Sequence, residues 1–74
     1  MDPITLNRQQ RAVYNFLKEH SAGQTRLQIA YGTGIERATI CRRVAELRKD
    51  GRVRVHHKAL DPITNTRAEF LVIS

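Results

Sequence analysis

The chain has one cysteine, Cys41, so it cannot close an internal disulfide. Tryptophan is absent, and only two tyrosines and two phenylalanines are present. Proteins that grip single-stranded nucleic acid stack successive bases on several aromatics, so Tyr14 and Tyr31 are expected to pack or face solvent instead. No apolar run approaches the roughly 18 residues that a transmembrane helix needs, so no membrane association is expected. The first ten residues, MDPITLNRQQ, lack the basic-then-apolar order of a secretory signal. Together these absences suit the reducing cytoplasm. Catalytic constellations are missing as well: no Gly-rich loop follows a strand, and no nucleophile stands beside an evident base. Neither an enzyme, a cofactor nor a small-molecule ligand is expected.

Acidic residues are also few, and their distribution decides more than their number. Thirteen lysines and arginines face seven aspartates and glutamates, for a net charge of +6. Between residues 37 and 58 stand eight basic and two acidic residues, so that one stretch holds the whole excess. Clustered cations release counterions from a phosphate backbone, and a polyanion is the partner this clustering predicts. With 74 residues the chain makes a single domain with a thin core, burying about 60% of its extended surface.

Local signals divide that domain. Pro3 breaks the lead-in, and Ile4 and Leu6 are expected to tuck onto the core. Asn7 and Gln10 have capping-box spacing, and Ala12, Val13, Phe16 and Leu17 form a helical stripe, predicting a helix over 8–19 that Gly23 stops. Thr25 and Gln28 repeat the capping box and open a second, shorter helix, with Leu27, Ile29 and Ala30 inward. The run Gly32-Thr33-Gly34 ends it in a turn. A third helix is predicted over 37–49. Ile40, Val44 and Leu47 share one face, and at about 100° per residue Ala38, Arg42, Ala45 and Lys49 fall opposite. After Gly51 the period becomes two, giving a strand over 52–57. Arg67 to Ile73 forms a second strand, and the intervening KALDPITNT forms the connecting loop.

This order, and the run TRLQIAYGTGIERATICRRVAELRKDGRV over residues 25–53, resembles the winged helix-turn-helix family of DNA-binding regulators. The corner is similar to that of catabolite-activator-type and marR-like transcription factors. The resemblance implies an α+β fold, with three helices followed by a two-stranded hairpin wing. It also implies a small transcription regulator, of prokaryotic or phage type, that binds double-stranded DNA. Helix 37–49 would enter the major groove, and hairpin 52–73 would act as the wing.

Carried onto this sequence, the resemblance places Arg37, Ala38, Cys41 and Arg42 toward base edges. Arg42 is the leading reader, because arginine donates two hydrogen bonds to guanine O6 and N7. Thr39 matches a phosphate-touching threonine. Arg43 stands where an apolar residue is common, with a stem able to pack and a head able to reach outward. Arg48, Lys49, Arg52 and Arg54 should position the backbone, Lys58 and Arg67 should flank the wing loop, and Thr25 and Arg26 should meet phosphate at a helix start. Glu36 replaces a common serine cap. His56 and His57, adjacent on a strand, should point to opposite faces, so no metal site is expected. No helix is left over for a dimer seam, so a monomer that can pair on DNA is the default. The competing reading is a winged-helix docking module for another protein, which an exposed apolar patch would favour.

Overall fold

The computed structural model describes residues 6–74, so Pro3 and Ile4 lie outside the described residues. Three helices precede two strands: α1 (Arg8–Lys18), α2 (Arg26–Thr33), α3 (Arg37–Lys49), β1 (Val53–Leu60) and β2 (Arg67–Ile73). Both predicted capping boxes form. The Asn7 side chain accepts from the Gln10 amide at 2.7 Å, and Gln10 Oε1 accepts from the Asn7 amide at 3.0 Å. At α2, Thr25 Oγ1 accepts from the Gln28 amide at 3.1 Å, and Gln28 Oε1 accepts from the Thr25 amide at 2.9 Å. Each box satisfies amides that a helix start would otherwise leave without partners.

The glycines of the corner divide their work. Gly34 ends α2 with a left-handed φ of 73°, a conformation that strains any residue with a Cβ. Gly32 has no such backbone, contrary to the expectation that the whole Gly-Thr-Gly run is turn. It lies inside α2, and a methyl group there would overlap the Phe16 ring. Gly32 therefore lets α1 and α2 approach closely.

One core joins the elements. Val13 and Leu17 of α1, Ile29 and Ala30 of α2, and Ile40, Val44 and Leu47 of α3 close over Val53 and Leu71, with Leu6 at the edge. The α3 stripe is the predicted one. Strands β1 and β2 pair antiparallel, and Gln24 adds a single bridge to Leu71 on the other side of β2. Leu71 and Val72, adjacent in sequence, are both buried, so β2 is covered on both faces.

The hairpin is longer than its alternation predicts. β1 runs on to Leu60, pairing Lys58 with Glu69, Ala59 with Ala68 and Leu60 with Arg67. A bulge between Val55 and His57 breaks the period and hides this continuation. The loop shrinks to 61–66. Past the bulge the register puts Lys58, Leu60, Arg67 and Glu69 on the face that Val53, Val55 and Leu71 turn to the helices.

Candidate nucleic-acid interface

Helix α3 presents two sides. Ile40, Val44 and Leu47 are fully buried, while Arg37, Ala38, Cys41, Arg42, Ala45 and Lys49 are exposed. Thr39 is half-buried between them. Glu36 caps α3 by position alone, with no side-chain hydrogen bond to the first turn. Its carboxylate still favours the positive end of the helix dipole.

Beside the start of α3 an open groove of about 350 Å³ separates the helices from the wing. Arg26 of α2, Arg37 of α3 and Arg67 of β2 line it, together with Thr64, Thr66 and Glu69. Glu69 organises the cations. Its Oε1 lies 3.0 Å from Arg26 Nη1 and 3.7 Å from Arg48 Nη1. The Arg26 hydrogen bond, aided by the charges of Arg26, Arg48 and Lys58, holds the Glu69 carboxyl below its ordinary range against the opposing effect of burial. The position of Glu69 had no distinguishing signal in the sequence, since its partners are 21 and more residues away.

Several residues expected at phosphates have other surroundings. Thr25 is 2% exposed, and its hydroxyl donates to Asp61 Oδ2 at 2.5 Å. With its amide held by Gln28 as well, Thr25 ties α2 to the wing and offers nothing to a phosphate. Arg26 is half-buried in its ion pair with Glu69. Arg43 lies along its own helix: its Nε is 3.3 Å from Glu46 Oε1, an oxygen that also accepts from Gln10 Nε2 of α1 at 2.7 Å. The Arg43 N–H is not aimed well enough to make a hydrogen bond of that contact. Arg54 lines a second groove with Leu17, Lys18, Ser21 and His56, on the sheet face away from α3. Arg52 is half-buried at the base of the wing, with its amide bonded to the Leu47 carbonyl. Lys58 is exposed and stands opposite Glu69, and Arg67 is exposed at the neck of the loop.

The histidine pair departs from expectation. The bulge brings both rings together on the outer face, with their Nδ1 atoms 2.7 Å apart, and His57 stacks on Phe70 at 4.7 Å. Among the described residues no group of three or more His, Cys, Asp or Glu side chains forms a metal-holding cluster.

The arrangement matches a known regulator in three dimensions. A structure of the PcaV transcriptional regulator from Streptomyces coelicolor, solved in complex with its natural ligand, superimposes with a TM-score of 0.69 at 26% identity. The chain has a winged-helix fold. The match covers 93% of this chain and 45% of PcaV, so the winged helix spans less than half of that regulator's length. Searches against protein-family models and against curated proteins gave no match. Among the described residues no helix is long and apolar enough to cross a membrane.

Proposed function

We propose that this winged helix is the double-stranded DNA-binding unit of a transcription regulator, with α3 in the major groove and the hairpin as its wing. The observation that carries this reading is the convergence of Arg26, Arg37 and Arg67, from three separate elements, on one open groove beside the exposed face of α3. Cations from three elements meet one phosphate backbone more readily than they meet one another. Within this reading Arg37 and Arg42 read bases, with Ala38 and Cys41 contributing shape. Thr39, Lys49, Lys58 and Arg67 touch the backbone. Arg26 reaches it from its ion pair, and Arg52 steadies the wing. The winged helix folds as one domain and acts as a monomer that can pair on DNA.

The similarity to PcaV supports the regulator class. The surface supports duplex over protein as the partner of α3, because the exposed large hydrophobics, Tyr31, Leu60 and Ile63, all lie off that helix. Fluorescence anisotropy against salt tests the proposal. Each neutralised phosphate adds about −0.9 to the slope of log affinity against log salt, so several contacts produce a steep fall. A salt-independent affinity, or none for any duplex, would remove the proposal.

A further inference from the structure

The wing tip has a property that phosphate binding does not use. Residues 61–66 read DPITNT and contain no lysine or arginine. The one charged residue there, Asp61, is 2% exposed. Around it three apolar side chains face solvent: Leu60 is 59% exposed, Ile63 is 43% exposed, and Pro62 is exposed between them. The cations nearest this tip in sequence, Lys58 and Arg67, stand behind it at its neck.

The tip is also fastened. Asp61 Oδ2 accepts from the Thr25 hydroxyl at 2.5 Å, and Asp61 Oδ1 accepts from the Ile63 amide at 2.8 Å. The Asp61 amide donates to the Thr66 carbonyl at 2.8 Å, and the Asn65 amide donates to the Asp61 carbonyl at 2.7 Å. The Thr64 and Thr66 hydroxyls lie 2.8 Å apart. The turn thus directs much of its hydrogen bonding inward and anchors itself to α2. An apolar projection held this firmly loses little conformational freedom when it is buried.

We propose that Ile63, flanked by Pro62 and Leu60, is an apolar wedge for the minor groove of the bound duplex. This rests on the duplex-binding reading above. Apolar side chains placed in the minor groove part base steps and bend the duplex, while nearby arginines hold its phosphates or enter the groove. A tip free of cations, with its one carboxylate buried and Arg67 directly behind it, has that composition. The cost of parting a step depends on sequence and is lowest at pyrimidine–purine steps, so the wedge confers a preference that requires no hydrogen bond to a base.

The test uses two end-labelled duplexes of about 20 base pairs, one of alternating dT-dA steps and one a stiff dA tract. Anisotropy reports binding and energy transfer between the ends reports bending. The unsubstituted protein is expected to bend the alternating duplex and to prefer it by about tenfold. Ile63→Ser, and separately Leu60→Ser, should bind the dA tract within about threefold of the parent while losing both bend and preference. Unchanged thermal unfolding checks that the exposed substitutions leave the fold intact. A bound duplex as straight as the free one, or an Ile63→Ser protein that bends DNA like its parent, would overturn the wedge and leave duplex binding standing. No anisotropy change with either duplex at low salt would overturn both.

Discussion

The Thr25 hydroxyl donates to the Asp61 carboxylate at 2.5 Å, joining the first residue of the α2 capping box to the first residue of the wing turn, 36 positions away. Both side chains are 2% exposed. This bond ties the helix-turn-helix to the wing turn. Thr25→Val keeps the shape but removes both the donor to Asp61 and the acceptor for the Gln28 amide, leaving a buried carboxylate with one fewer partner and an uncapped helix start. It should lower stability by about 2 kcal/mol in denaturant titration. Amide exchange over 61–66 should rise more than exchange in α3.

Gly32 and Gly34 should fail for different reasons. Gly34→Ala meets no neighbouring atom and places an alanine at φ 73°, so it should cost about 1 kcal/mol through backbone strain. Gly32→Ala has ordinary helical backbone and collides with the Phe16 ring, so it should cost about 1–3 kcal/mol through overpacking. Phe16→Leu should recover part of the second loss and none of the first, which a double-mutant cycle would measure.

Glu69 links pH to stability and should link it to duplex binding. Its carboxyl ionises more readily in the folded chain than in the unfolded one. The stabilisation it brings is therefore complete above its unfolded pKa and lost as pH falls through the lower folded value. Glu69→Gln should flatten that part of the acid unfolding profile and cost about 0.5 kcal/mol at neutral pH, since the carboxylate remains partly open to solvent. The same change removes a negative charge beside Arg26 and Arg48. It should tighten duplex binding by roughly threefold at low salt.

Arg42 on α3 and Arg67 in the groove should separate by role. Arg42→Ala should cost about 1–3 kcal/mol on a preferred duplex and little on others, compressing the range of affinities. Arg67→Ala should weaken all duplexes alike and reduce the salt slope by about one. Equal effects of both substitutions across a sequence panel would show that Arg42 contacts phosphate only.

Much of this was readable along the chain. α3 has its predicted bounds because its core stripe and its exposed stripe are both local patterns. The capping boxes at Asn7 and Thr25 were readable for the same reason, since each closes within three residues. The wing was harder. The bulge between Val55 and His57 shifts the alternation by one residue, so Lys58, Ala59 and Leu60 read as loop and the two histidines read as divergent. The partners of Thr25 and Arg26 come from distant segments, and no spacing rule connects them. One such tertiary partner, Asp61, occupies the Thr25 hydroxyl. Another, Arg26, gives Glu69 its place in the groove.

Duplex titration of the isotope-labelled protein, followed through its amide spectrum, shows which face of the protein meets DNA. Shifts are expected at Arg37, Ala38, Cys41 and Arg42 on α3, at Arg26 and Arg67 beside the groove, and across the wing tip at 63–66. Signals from Leu17, Lys18, Ser21, Arg54 and His56 on the opposite face should not move. Shifts concentrated on that opposite face, with α3 unmoved, would contradict duplex binding through α3.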